Sequence, residues 1–246
     1  MGIELIIIGI IVGVVSGFFG IGGGMILVPV LLIIGLDINS AVGISIIQMV
    51  FTSIYGSYLN YKKGSLELND GIFIGIGGFL GGFGGSLLTP YIPSEILKYL
   101  FLFIILFALF KLIFSKEKKD SIINNSIHWV VLLTIGIVIG VFAITLGIGG
   151  SVMLTPILAG ILHYPIKKAI SAGLFFVVFS SMAGLIGRLS SNNIDLENGF
   201  IVAISSLIGV FIGIWLKDYI TSKNHKNLLI LLYFITLFMM IKKMWF

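Results

Sequence analysis

Apolar residues run along this chain in long blocks separated by short polar stretches, and runs of 18 or more such residues read as membrane-spanning helices. Four blocks, at 3–36, 40–61, 70–91 and 95–114, precede the polar stretch Ser115–Ser126. Four more, at 128–163, 167–188, 198–217 and 226–245, follow it. The second to fourth block of each set has the length of a single span. The first block of each set exceeds 30 residues. As a straight helix it would approach about 50 Å at 1.5 Å per residue, against a hydrocarbon core of about 30 Å. Both overlong blocks carry a Gly cluster and a Pro near their middle, and both residue types break helices. The pattern predicts an all-α integral membrane protein of about eight hydrophobic segments, with segments one and five broken or re-entrant at their Gly-rich motifs.

The two sets of blocks are related. Residues 20–29 read GIGGGMILVP and residues 147–156 read GIGGSVMLTP. An offset of 127 also pairs Gly9 with Gly136 and Gly13 with Gly140. After one inserted residue the offset becomes 128, pairing Ala41 with Ala169, Ser53 with Ser181, Gly71 with Gly199 and Gly85 with Gly213. A self-similarity of this extent marks a tandem repeat, with a first transmembrane repeat at 1–114, a polar linker at 115–127 and a second repeat at 128–246.

Charge bears on how the overlong segments are threaded. If both are hairpins that return to their starting side, Lys62, Lys63, Lys111, Lys116, Lys118, Lys119, Lys167, Lys168, Lys217, Lys223 and Lys226 share one side. Lys98, Arg188, Lys242 and Lys243 share the other. Single crossings would spread the cations more evenly. Cytoplasmic loops gather Lys and Arg, so the hairpin arrangement is preferred. It leaves three crossings per half, an odd number, which makes the two halves inverted repeats of the kind found in transporters.

Composition narrows the function. Only 10% of residues are charged and 58% are hydrophobic, whereas soluble domains carry about 25% charged residues. The net charge of +5 is scattered through short loops, so nucleic acid is excluded as a partner and the lipid bilayer is the expected one. There is no cysteine, which removes disulfides and thiolate sites. The N-terminus has no basic region of a removable signal peptide. High Ile, Lys, Asn and Phe content points to a multi-pass protein of a prokaryotic cell membrane.

The candidate site residues follow from the repeat. Gly20, Gly22, Gly23, Gly24 and Pro29 in the first motif, and Gly147, Gly149, Gly150, Ser151, Thr155 and Pro156 in the second, would place half-helix N-termini at membrane depth. There, free N–H groups and the helix dipole attract anions. The alternative for such small residues is close helix packing. On the second segment Ser45, Gln48, Thr52 and Tyr55 share one helical face and would line a polar path. Thr52 with Ser53, and Ser180 with Ser181, form the symmetric pair expected to join it. Gly75–Gly85 is read as helix packing, Arg188 as a loop anchor beside Asn192 and Asn193, and His128, His163 and His225 as interfacial residues. No acid lies in the middle of a span. An anion leaving a negative-inside cell needs no coupling ion, since it gains about 2.3 kcal/mol per charge per 100 mV. No metal or cofactor is expected, and no catalytic arrangement.

The stretch GVVSGFFGIGGGMILVPVLL resembles the signature of the sulfite exporter TauE/SafE family, and GVFAITLGIGGSVMLTPIL resembles its second, degenerate copy. Where such proteins often carry Ala-x-Gly-Thr-Ser, Ala41–Ser45 has Ile44 in the Thr place. The resemblance implies a permease for small anions, sulfite or organosulfonates among them, bound between the two motifs. A carrier of another small metabolite and a non-transporting membrane scaffold are the competing readings.

Overall fold

The computed structural model describes residues 2–66, 69–114, 128–161, 165–190 and 194–245. The predicted linker, His163, Asn192 and Asn193 lie outside the described residues. Helix α1 (Gly2–Phe19) is followed by a short α2 (Gly24–Ile33), then α3 (Ile38–Lys62), α4 (Asn69–Leu88) and α5 (Ser94–Phe114). The order repeats with α6 (Trp129–Leu146), a short α7 (Ser151–Gly160), α8 (Ile166–Ser190), α9 (Leu196–Asp218) and α10 (Ser222–Trp245). The eight long helices are each apolar enough to cross a membrane, while α2 and α7 have ten residues each, about 15 Å. The overlong segments are therefore broken at their glycines. Large side chains such as Phe103, Ile208, Phe211 and Phe238 face outward, as a lipid environment requires.

Glycine decides which helices touch. A β-carbon on Gly9, Gly13 or Gly17 of α1 would run into the backbone or side chain of Val202, Ser205, Ser206 or Val210 on α9. On α4, Gly77, Gly81 and Gly85 stand in the same way against the carbonyls of Leu133, Ile137 and Val141 on α6. The Gly75–Gly85 run is thus a packing face, as its sequence predicts. Small residues let backbones approach, which replaces the hydrophobic driving force that lipid does not supply.

The same contacts give helix directions. Residue numbers rise together along α1 and α9, along α4 and α6, and along α4 and α8, where Gly71 meets Phe175 and Gly187 meets Ser86. They also rise together along α3 and α9, where Gly199 meets Ile47 and Lys217 bonds Asn60. They run oppositely along α3 and α8. Asn39 meets Arg188 at one end of that pair, and Asn60 shares Lys217 with Ser171 at the other. Helices α1, α3 and α9 therefore point one way, and α4, α6 and α8 the other. Because α1 and α3 are parallel, the chain turns back through α2. It does the same through α7 between α6 and α8. Exchanging the halves leaves the pairings unchanged: α1 on α9 answers to α6 on α4, α2 on α3 to α7 on α8, and α10 on α2 to α5 on α7.

At the turn from α2 into α3, Asp37 caps α3 and accepts from the Asn39 and Ser40 amides at 2.9 and 3.0 Å. Burial pushes its pKa up, but the Ser40 hydroxyl and these amides outweigh burial and hold it below the usual carboxylate value. The cap therefore contributes stability that is lost as pH falls through that lowered pKa.

Two positions separate close packing from mere glycine content. Gly81→Leu should lower the apparent Tm in detergent by several degrees, since over-packing costs roughly 1–3 kcal/mol. Gly84→Ala, with open space around its α-carbon, should leave Tm unchanged or slightly raised. Thermal melts of the two purified variants check this.

Candidate functional site

The first break spans Gly20–Gly23. Gly23 has φ 95°, a left-handed conformation that disfavours any side chain, and it opens α2. The Leu27 amide is bonded back to the Gly23 carbonyl at 3.0 Å. The Ile26 amide reaches the same carbonyl at 3.1 Å, which leaves only Gly24 and Met25 at the start of the helix's first turn, where no intrahelical acceptor exists. The second break starts at Gly147, φ 64°, where Ile148 N–H donates to the Ala143 carbonyl at 3.1 Å and closes α6 in a Schellman turn. Gly150 then opens α7.

The two breaks touch each other. A β-carbon at Gly24 would collide with the Gly147 carbonyl, and one at Gly149 would stand 2.8 Å from the Ile21 carbonyl and from Met49 Sδ. Ile21 and Ile148 are both fully buried. Helix α3 ties the breaks together from one side. Its Ser45 hydroxyl donates to the Gly147 carbonyl at 2.7 Å, and two turns on the Thr52 hydroxyl is placed between the Gly22 carbonyl at 3.1 Å and the Gln48 carbonyl of its own helix at 3.0 Å. Between them the Gln48 amide lies against Gly23, where a β-carbon would be 2.6 Å from Nε2. Gln48 Nε2 reaches Thr52 Oγ1 only at 3.5 Å, and its Oε1 is buried without a partner.

Helix α8 faces the breaks from the other side with different chemistry. Phe176 lies against Gly150 where Gln48 lies against Gly23. Ser180 and Ser181 donate back to their own helix, to carbonyls of Phe176, Val177 and Val178, and Ser53 does the same to Val50. Of the residues expected to join the site, Thr52, Gln48 and Ser45 reach the breaks, while Ser53, Ser180 and Ser181 are held to their own helices. Tyr55 does not continue the polar face. It is half-buried and lines an outward apolar groove with Val50, Phe51, Ile54, Tyr58 and Leu207. Tyr55 lies only about 20° round the helix from Gln48, so its exposure follows from what packs beside it at that level and not from its place on the face.

Ser151 and Thr155 at the start of α7 are fully buried against Gly173, and both hydroxyl oxygens lack a hydrogen-bond partner. Pro156 cannot donate to the carbonyl four residues earlier, which belongs to Val152. The Tyr233 hydroxyl of α10 donates to that carbonyl instead, at 2.7 Å. The only sequence signal for this residue is the acceptor that Pro156 leaves free.

Two residues read from sequence as peripheral are interior. Arg188 is no loop anchor: it is fully buried in α8 and donates from Nη1 to the Asn39 carbonyl at 3.0 Å. His225 is not in a loop but in the first turn of α10, fully buried and stacked on Phe18. A polar side chain at a segment's edge is pulled inside when a neighbouring helix overhangs it, which hydropathy alone does not reveal.

The sulfite exporter TauE/SafE family matches residues 5–240, nearly the whole chain. The chain belongs to that family. This TauE/SafE protein is 28% identical over 215 residues to the "Probable membrane transporter protein YdhB" of Bacillus subtilis, covering 85% of this chain and 87% of that one. It is 29% identical over 242 residues to the "Probable membrane transporter protein MJ0441" of Methanocaldococcus jannaschii, covering 92% and 90%. No solved structure matches it. It is a membrane transporter, a multi-span protein of the cell membrane whose substrate is a small molecule.

The geometry separates structural from spare hydroxyls. Tyr233→Phe should destabilise the protein by about 1 kcal/mol, since it leaves a buried carbonyl unpaired. Ser151→Ala removes an already unpaired hydroxyl and should leave Tm unchanged or raised. Paired melts of the two variants test the assignment.

Proposed function

We propose that this transporter carries a small oxyanion, sulfite or an organosulfonate, bound where the breaks meet between α3 and α8. The observation that carries the reading is the convergence of two half-helix N-termini, of α2 and α7, on the middle of the bundle. The positive ends of two helix dipoles favour an anion there, although the Ile26, Val152 and Met153 amides already donate to the carbonyls of Gly23, Gly149 and Gly150. The buried hydroxyls of Ser151 and Thr155 add donors, and so does the Gln48 amide, whose oxygen and nitrogen can exchange places. Every Asp and Glu among the described residues lies at a helix end or in a connection, so none of them opposes a negative charge at this depth.

The two halves act as inverted repeats around that site, with segments one and five as re-entrant hairpins. Helices α3 and α8 run oppositely and each backs one break, so a small rocking of one half against the other exchanges which end is open. The chain works as a carrier and not as a catalyst: its central groups are hydroxyls, one amide and backbone.

Proteoliposomes loaded with sulfite, taurine, sulfoacetate or lactate test the reading. Sulfite or an organosulfonate should leave faster than lactate, and an inside-negative potential of 100 mV should favour efflux by up to about 50-fold per charge, the equivalent of 2.3 kcal/mol. The Ser151→Ala/Thr155→Val double variant should fold as wild type and slow efflux at least tenfold. Potential-insensitive efflux, or lactate as the preferred solute, would contradict the oxyanion assignment.

A further inference from the structure

Lys217 lies near the end of α9 and is only 2% exposed. Its Nζ donates to Asn60 Oδ1 at 2.6 Å and to Ser171 Oγ at 3.2 Å, both neutral oxygens. The neighbouring Asp218 lies within electrostatic range but makes its direct ion pair with Lys63 at the protein surface, so no carboxylate among the described residues touches the Lys217 ammonium. An ammonium buried without a carboxylate is costly in a low-dielectric interior, and a charge retained inside a membrane bundle marks a functional site.

The groups around it are donors, except that the Ser171 hydroxyl already donates to the Lys167 carbonyl of its own helix at 3.1 Å and serves Lys217 as an acceptor. An ammonium has three protons, and two are used here. Asn60 Nδ2 is buried without a partner. His225, fully buried, stacks on Phe18 at 4.6 Å and meets Phe19 edge-on at 5.5 Å. Its ring nitrogens make no hydrogen bond of normal geometry, although the Phe18 carbonyl is close enough to act on the ring. Lys167 adds a second positive charge within electrostatic range. Phe18 and Phe19 are the last turn of α1, directly before the first break. Ser171 follows Ile170, whose side chain and carbonyl abut Gly20. The cluster is therefore one residue from the first break on two separate helices.

We propose that Lys217, Asn60 and His225 form a second oxyanion-binding site, with Ser171 positioning the Lys217 ammonium, at the lysine-rich end of the bundle, where the substrate anion rests before it reaches the breaks. This rests on the oxyanion reading of the central site and adds a separate station to it. That end gathers the helix-end lysines Lys62, Lys63, Lys167, Lys168 and Lys223, which places it on the cytoplasmic side, the loading side for export. The opposite end of the α3–α8 pair has a matching feature. Under the 128-residue offset Asn60 falls on Arg188, which is buried with Nε and Nη2 unpartnered. The two buried cations are separated by the length of α3 from Asn39 to Asn60, about 30 Å, with the breaks between them.

Sulfite binding and thermal melts of the detergent-purified full chain test the proposal, on wild type, K217M, K217R and the Ser151→Ala/Thr155→Val variant. Replacing an unpaired buried cation by an apolar residue of similar length relieves its burial. K217M should therefore melt at or above the wild-type Tm while its sulfite affinity falls at least tenfold, and K217R should stay within about threefold of wild type. A merely structural Lys217 gives the reverse, a lower Tm with affinity unchanged, and either of those two results in K217M overturns the proposal. If K217M keeps wild-type affinity while the Ser151→Ala/Thr155→Val variant loses it, only the Lys217 station falls. If wild type binds neither sulfite nor sulfoacetate, the oxyanion reading falls and this site with it.

Discussion

Backbone polar groups at membrane depth must find partners inside the protein, because lipid offers none. The breaks at Gly20–Gly23 and Gly147–Gly150 expose such groups in the middle of two apolar segments, and the rest of the structure is arranged around covering them. They cover one another, Ile21 against Gly149 and Gly24 against Gly147. The hydroxyls of Ser45 and Thr52 then reach one carbonyl of each break, and Tyr233 takes the carbonyl that Pro156 leaves free.

This covering works only if the surrounding helices come close. The glycine faces of α1 against α9 and of α4 against α6 bring whole backbones into contact and form two closely packed pairs. Between the pairs lie α3 and α8, running oppositely, one polar towards the breaks and the other apolar. The asymmetry is chemically useful. The Ser45 and Thr52 hydroxyls reach the breaks and Gln48 lies against Gly23, while on the Phe176 side Ser151 and Thr155 keep hydroxyls that are not used up by the fold.

Much of this was legible in the sequence. Segment lengths gave the helices to within a few residues, and the Gly-Pro motifs located both breaks. Their tandem resemblance carried the family. The polar face of α3 was legible as far as Thr52 and failed at Tyr55, which shares the face but borders an outward apolar groove with Val50, Phe51, Ile54, Tyr58 and Leu207. Side-chain partners were less readable. Ser53, Ser180 and Ser181 look equivalent to Thr52 in one dimension, yet each can satisfy its hydroxyl on its own preceding turn, and nothing local tells which will. Arg188, Lys217 and His225 read as loop or interfacial charges because they stand near segment ends. Their burial depends on helices far away in sequence, α3 over Arg188 and α1 over His225.

The central claim is that each broken segment returns to the side from which it starts, so that the N-termini of α2 and α7 meet in the middle. The chain lacks cysteine, so single cysteines can be placed at Ile3, Ile34, Lys62 and Thr221 and labelled in intact cells with a membrane-impermeant maleimide. All four positions are exposed. The account predicts that positions 3 and 34 label from one side and positions 62 and 221 from the other. Labelling of positions 3 and 34 from opposite sides would mean that the first segment crosses the membrane outright, and the inverted arrangement with its central site would be wrong.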